Sequence, residues 1–533
     1  MRVTFVTSGF EHLGVEALSA YLRAHGHETR LVYEPKPFSS NTGPDNRWLA
    51  RLFEPGTAST AERVLASEPD LVAFSTYTVT HAWSLEVARA VRRSSPVPIV
   101  FGGAHASGAP RETIEDPAVD AVVEGEGEGA LLDLVESVGT AGLSRTDVAN
   151  CWFKTENGVV RNPVRPLIDD LDSLPFVDRS LFYEQIPSFA HEIYVMARRG
   201  CPYRCSFCEY SSFPARYDGE KVVRRRSVPN LIAELRQLAR GGAPRKVFFW
   251  DAIFTLDHPW MREFAAAYAR DVALPFECYT HPSTMTPEMA RLLARAGCSL
   301  VRVGVQSVNG ETLARLDRRG DARRVTAAIH DLDAAGIDVS VDHILGLPGE
   351  SAADQRDAIR LYCDLAPKRI VVHWMTYFPG TTAFDHAVSS GAIVPELARA
   401  IRLGDRIIGF EAPSLLGGGA DASRERDLDE TARLEILLHA MALLPPAWIR
   451  RLLESDLHRR LPRGLWARHL VSAGLVLLGR GATRAHLRAV LSAVVRGASM
   501  GMRHRVAGAR AAALRAVAPE RAWTTPADPL PTR

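Results

Sequence analysis

Cys201, Cys205 and Cys208 lie within eight residues, in the run Arg199-Gly200-Cys201-Pro202-Tyr203-Arg204-Cys205-Ser206-Phe207-Cys208. Thiolates hold zinc and iron–sulfur clusters, and a short loop carrying several of them delivers them to one centre. A structural zinc, or a cubane cluster ligated by protein alone, takes four protein ligands. Here three come together, which leaves one metal position open for chemistry. A zinc knuckle that borrows a distant fourth ligand, or a coincidence of free thiols, is the competing reading. Cys151, Cys278, Cys298 and Cys363 are scattered. Seven cysteines in 533 residues make no disulfide scaffold and fit a reducing compartment.

The elements around this loop fall into three regions. Residues 1–150 alternate strands (3–7, 29–33, 70–76, 98–101, 121–123) with helical patterns (14–25, 60–68, 83–94). That alternation predicts a parallel, doubly wound α/β sheet, Rossmann- or flavodoxin-like. Such sheets bind ligands at the carboxyl ends of their strands. Those ends are Ser75-Thr76-Tyr77-Thr78, Gly102-Gly103-Ala104-His105 and Glu124-Gly125-Glu126-Gly127-Glu128, where glycines permit close approach of backbone to a flat ligand. A nicotinamide-binding domain would carry G-x-G-x-x-G in its first turn. The first turn here, Ser8-Gly9-Phe10-Glu11-His12-Leu13-Gly14, does not match.

Residues 151–190 read as an irregular connector with breakers at Asp169, Asp170, Asp172, Pro175 and Pro187. From residue 191 to 395 six further strands (193–197, 246–250, 276–280, 300–305, 338–345, 369–374) alternate with helices. They predict a partial (βα)6 barrel with its chemistry on the loops at the strand carboxyl ends. The first of these strands feeds the cysteine loop. Residues 396–533 lose the strand pattern and predict a mostly helical domain with a disordered end from Thr524. From Thr431 onward there are 17 arginines, no lysine and five acidic residues. A solvated arginine face or a peripheral membrane contact would both use that charge.

The net charge of the whole chain is only +2 and gives no sign of a nucleic-acid partner. The first residues read as a strand rather than a charged-then-apolar leader, and no apolar run reaches the roughly 18 residues of a membrane span. The expected location is the cytoplasm, with the basic C-terminal region as a route to peripheral membrane binding.

The C-x3-C-x2-C spacing, with Phe207 before the last cysteine, resembles the signature of the radical S-adenosylmethionine (SAM) enzymes. In that family three cysteines bind a 4Fe–4S cluster and SAM occupies the fourth iron. The resemblance covers residues 191–385. It assigns Cys201, Cys205 and Cys208 to the cluster and places Phe207 against cluster or adenine. Asp251, after Phe248-Phe249-Trp250, stands where relatives present a Gly-Gly-Glu-like edge to the SAM amino group, a departure from the usual glycines. Gln306 and Ser307, in Val303-Gly304-Val305-Gln306-Ser307, are implied contacts to the SAM carboxylate and ribose. Gly346 and Gly349, in Gly346-Leu347-Pro348-Gly349-Glu350, resemble the loop packed on adenine and ribose, and Tyr377-Phe378-Pro379-Gly380-Thr381 is a recurrent turn of the group.

The N-terminal region, through His12-Leu13-Gly14-Val15-Glu16, Arg23-Ala24-His25-Gly26-His27, Gly102-Gly103 and the Glu-Gly repeat, resembles the cobalamin-binding domain fused to one radical SAM class. That resemblance implies contacts from Ser75 and Thr78 to the nucleotide tail, and from Gly102, Gly103 and Gly125 to the corrin edge. The Asp-x-His-x-x-Gly motif that supplies an axial histidine in cobalamin mutases is absent, so base-off binding is expected. His105 invites an axial role, but a loop histidine bonded to backbone is the better reading.

The resemblance implies radical generation from SAM, hydrogen abstraction from an unactivated carbon, and methylation of carbon or phosphorus from methylcobalamin, with two SAM per product. A cobalamin-dependent oxidoreductase or cyclase of the porphyrin-ring type is the alternative, and a cobalamin-sensing regulator is a distant third. Implied partners are a small-molecule substrate, anionic or membrane-associated, and an electron donor such as flavodoxin or ferredoxin, with no nucleic acid.

Overall fold

The structure is a computed structural model that describes residues 1–36, 47–139, 142–217, 219–241, 244–407 and 422–461, together with 495, 498–500 and 502–504. Its first unit is a seven-stranded sheet in the order β2-β1-β3-β4-β5-β6-β7. The strands are β1 (Arg2–Ser8), β2 (Glu28–Glu34), β3 (Leu71–Ser75), β4 (Ile99–Gly102), β5 (Ala121–Val123), β6 (Cys151–Thr155) and β7 (Gly158–Arg161). The first five run parallel. A parallel sheet is covered on both faces, which is why its strands are apolar throughout rather than alternating. Val3 and Phe5 enter one core, and Val6, Phe74 and Phe101 enter the other.

The irregular connector expected from residue 151 begins only after Arg161. β6 and β7 form an antiparallel hairpin that extends the N-terminal sheet beyond β5. Cys151 and Phe153 are buried on one side of it, and the turn uses Asn157-Gly158, a strong hairpin signal with Gly158 at φ 107°.

The second unit is a six-stranded parallel sheet, in the order β8 (Glu192–Val195), β9 (Lys246–Phe249), β10 (Phe276–Thr280), β11 (Cys298–Gln306), β12 (Asp338–Leu345) and β13 (Arg369–Trp374). This is the expected (βα)6 partial barrel. Val195, Phe249, Phe276, Val303 and Val341 face the helices and make the largest core. The opposite face is aromatic and charged. Tyr194, Phe248, Trp250 and Tyr279 lie with ring centroids 5.0–5.7 Å apart, and the Arg302 guanidinium stands over Phe248 and Tyr279.

The described part of the C-terminal region is helical: Pro395–Arg402, Ala422–Ala440 and Pro446–Glu454. Leu434, Leu437, Ile449 and Leu453 join the core of the second unit. Met500 packs instead on the N-terminal core, and His504 reaches Arg63 at 3.0 Å and Glu34 at 3.5 Å. Most of the arginine-rich segment and the end expected to be disordered lie outside the described residues. No helix among the described residues is long and apolar enough to cross a membrane.

Two sets of ion pairs lock the units together. Arg179, 7% exposed, donates from Nη1 to Glu11 (3.0 Å) and Glu16 (2.9 Å) in the first unit and from Nη2 to the Tyr194 carbonyl in the second. Burial pushes both carboxyls up, and the guanidinium pulls them back down. In the other set, Glu124 binds Arg216 (2.8 Å), Glu126 binds Arg199 (3.1 Å) and Arg224 (2.9 Å), and Glu128 binds Arg199 (2.6 Å). Removing one partner of such a buried group leaves a charge with no compensation. Arg179→Met should therefore lower stability by about 3–5 kcal/mol in urea denaturation. A loss below about 1 kcal/mol would mean that the glutamates are not held by this guanidinium.

Candidate functional site

A cavity of about 410 Å³ opens between the two units. One wall is the carboxyl edge of the first sheet, with the apolar Phe5, Ala73, Val100 and Val123 and with His12, Ser75, Gly102, Gly103 and Gly125. Its other wall comes from the second unit: Met196, Arg198, Gly200, Glu209, Tyr210 and Phe213. Gly200 precedes the first clustered cysteine and Glu209 follows the last, so the cavity runs from the strand ends of one unit to both flanks of the cysteine loop of the other.

β8 ends at Val195, and the chain turns through Ala197–Arg199 into that loop. Asp251, fully buried, accepts the Ala197 N–H with both oxygens (3.1 and 3.2 Å) and lies 3.8 Å from Arg198 Nε. Burial raises its pKa to about 6 against the pull of Arg198. Its carboxylate is thus occupied in holding the start of the loop, a task that the expected contact to an amino group did not foresee.

Burial raises the thiol pKa of Cys201 and of Cys208, the latter to about 12, against the pull of backbone hydrogen bonds at Tyr203 and Tyr210. Such thiols become thiolates only when a cation compensates them. Arg318 supplies part of that: its Nη1 donates to Cys205 Sγ at 3.4 Å and its Nη2 to the Gly304 carbonyl. An all-thiolate set of three, partly buried and bonded by a guanidinium, fits an iron–sulfur cluster with one position left to another ligand.

The other residues expected at the SAM site divide. Phe207 packs with Leu316, Leu347 and Met375. Gln306 takes a left-handed φ of 67°, costly for a residue with a Cβ, and its amide lies against Gly304 beside Arg318. Ser307 is fully buried, donates to Glu350 and accepts the Asn309 N–H at 3.1 Å, which leaves it bound within the protein. Gly346 and Gly349 both have positive φ, as their turn demands.

Ser75, Gly102, Gly103 and Gly125 line the cavity as expected from their strand ends; Thr78 does not. Its hydroxyl lies 3.0 Å from His105 Nδ1, and His105 Nε2 lies 2.9 Å from the Arg402 carbonyl. His105 is thus bonded at both nitrogens and sits outside the cavity lining. Gly103 and Gly125 also have a reason within the protein. A Cβ on Gly103 would lie 2.7 Å from the Thr76 nitrogen, and one on Gly125 would lie 1.9 Å from the Tyr217 hydroxyl. Sequence reasoning missed Arg179, Arg198, Arg318 and the glutamate side chains of the Glu-Gly repeat. Their partners are distant in the chain; the alternating glutamates themselves were the available signal.

Residues 2–135 match the B12 binding domain family, and residues 197–362 match the Radical SAM superfamily. An uncharacterized methyltransferase of Pyrococcus horikoshii is 25% identical over 362 residues, covering 66% of this chain and 76% of that protein. The anaerobic magnesium-protoporphyrin IX monomethyl ester cyclase of Rubrivivax gelatinosus is 25% identical over 409 residues, covering 71% and 68%. The radical S-adenosylmethionine methyltransferase TsrM of Kitasatospora setae, solved with cobalamin and a 4Fe–4S cluster, shares the fold. Its TM-score is 0.63 at 17% identity over 94% of this chain and 99% of that one. The two matched domains are those that bind cobalamin and that pair SAM with an iron–sulfur cluster.

Because both nitrogens of His105 are bonded within the protein, His105→Ala should leave cobalamin occupancy of the reconstituted protein nearly intact by absorption spectroscopy. Loss of most of the bound corrinoid, with the fold retained by circular dichroism, would return His105 to the site.

Proposed function

We propose that this chain, which belongs to the cobalamin-dependent radical SAM enzymes, methylates an unactivated carbon or phosphorus centre of a small molecule and consumes two SAM per turnover. The observation that carries this reading is the cavity shared by the strand ends of the B12-binding unit and the flanks of the cysteine loop. When bound, the cluster with SAM supplies a carbon-centred radical, and cobalamin supplies the methyl group.

In this reading Cys201, Cys205 and Cys208 hold the cluster and Arg318 neutralises charge at Cys205. Gln306, Gly346 and Gly349 border SAM, with Phe207 packed behind the cluster loop. Asp251 keeps the loop in register rather than touching the ligand, and Ser307 braces the turn through Glu350. Ser75, Gly102, Gly103 and Gly125 border cobalamin, while Thr78 acts only through His105. The ion pairs at Glu124, Glu126 and Glu128 close the wall around the reacting groups and exclude water.

Arg198 supports an anionic substrate. It is 2% exposed, it lines the cavity, it has Asp251 3.8 Å from Nε and Trp260 beneath its guanidinium, and among the described residues its Nε and Nη2 make no hydrogen bond. A buried cation in that state is suited to a carboxylate or phosphate. The basic C-terminal region fits delivery of such a substrate from a membrane surface, and the electron donor would be a flavodoxin or ferredoxin. The relative from Rubrivivax gelatinosus keeps a second reading in play, ring closure or oxidation without a new methyl.

Anaerobic reconstitution should give about four irons and four sulfides per chain, and joint replacement of Cys201, Cys205 and Cys208 by Ala should abolish them. Retention of the cluster in that variant would sink the assignment. With substrate, SAM and a low-potential reductant, 5′-deoxyadenosine and S-adenosylhomocysteine should accumulate in roughly equal amounts. Deoxyadenosine alone, with a product that lacks an added methylene mass, would favour the cyclase reading.

A further inference from the structure

His281 follows β10 directly and lies outside the cavity lining, at the strand ends of the second unit. The residue is 2% exposed. Its Nδ1 accepts the Ser283 N–H at 3.1 Å and so caps the short 3-10 turn Pro282–Thr284. An imidazole nitrogen that accepts carries no hydrogen, so the ring hydrogen is on Nε2. Burial, with the charge of Arg318, lowers the ring's pKa to about 3 and keeps it neutral. Among the described residues Nε2 has no hydrogen-bond partner. A buried N–H without an acceptor is costly, and such a group asks for an explanation.

Three contacts place that N–H beside the cysteine loop. The ring lies on Tyr203, which stands between Cys201 and Cys205, with centroids 4.3 Å apart and planes 30° apart. The Arg318 guanidinium, whose charge reaches the ring, donates to Cys205 Sγ at 3.4 Å and to the Gly304 carbonyl. The carbonyl of Thr280, one residue before His281, lies 3.8 Å from where a Cβ on Gly304 would stand. Nδ1 is turned back to the chain's own turn, so Nε2, at the far edge of the ring, faces away from it. A ring fixed by a cap on one nitrogen and by a neighbour on its face presents the other nitrogen in one direction.

We infer that the Nε2–H of His281 donates a hydrogen bond to a sulfur of the cluster held by Cys201, Cys205 and Cys208, and thereby raises its reduction potential. The inference rests on the assignment of those three cysteines to a cluster. Cluster sulfurs carry negative charge and accept N–H donors, and each such bond favours the reduced form, which holds one more electron. Arg318 is the cationic donor at Cys205; His281 is a neutral one beside it.

The test is the midpoint potential of the cluster in the full chain, reconstituted anaerobically and titrated without SAM, with iron content and circular dichroism followed for each variant. Asn puts an amide oxygen where His Nδ1 stands, and Gln puts an amide N–H close to the place of Nε2. His281→Asn should therefore keep the cap on Ser283 and retain its iron, but show a more negative potential. His281→Gln should stay close to wild type. Growth on histidine labelled with nitrogen-15 should give the reduced wild-type cluster a weak nitrogen coupling in pulsed electron paramagnetic resonance, and His281→Asn should lack it. An unchanged potential in His281→Asn would overturn the inference. So would an equal shift in both variants, or a shift in His281→Gln alone, which is the pattern of a histidine that only caps the turn. Should His281→Asn lose its iron, the wild-type coupling decides, and its absence overturns the inference. A coupling that appears only after SAM is added assigns the N–H to SAM and overturns it as well. If the wild-type protein takes up no cluster, the reading of the cysteines fails with it. A bound cluster indifferent to His281 overturns this inference alone.

Discussion

The structure depends on charge buried where its two α/β units meet. Arg179 ties two glutamates of the first unit to the backbone of the second, and the three glutamates after β5 reach arginines on the far side. Isolated, each of these groups would be costly to take out of water, and their mutual attraction repays that cost only if the geometry is kept. The two sheets therefore have little freedom to slide. Apolar packing sets how well each unit folds; the ion pairs set where one stands relative to the other, and hence the width of the cavity between them.

The same economy appears within the second unit. Its outer strand face is apolar because helices cover it, and its inner face carries aromatic rings and an arginine. Period-two alternation along β9 and β10 follows from this division. Phe248, Trp250 and Tyr279 look inward while Val247, Phe249 and Cys278 look outward.

Much of this was legible in the sequence. Strand ends, the cysteine loop and the glycine turns all announce themselves locally, through periodicity or through the spacing of a few residues. What escaped were side chains whose role is set by partners far along the chain. Asp251 reads as a ligand contact from its place after β9, yet the turn after β8 engages it through the Ala197 N–H. Thr78 stands near a promising strand end but turns to His105. Arg318 has no local signature and matters because it reaches a sulfur 113 positions away. The hairpin over Cys151–Arg161 was legible through Asn157-Gly158 and was obscured by the breakers that follow it.

The return of the chain to its beginning has a consequence for how the protein is made. Met500 and His504 settle on the N-terminal unit, whose last strand is complete at Arg161. At ordinary rates of synthesis the ribosome needs on the order of tens of seconds to span that gap. Throughout that interval the surface on which Met500 settles, and the Glu34 carboxylate that faces His504, wait for those partners, whereas Glu11, Glu16, Glu124, Glu126 and Glu128 meet their arginines early in it. Its final surface is therefore a product of the last part of translation, and a chain released early would emerge with that patch uncovered.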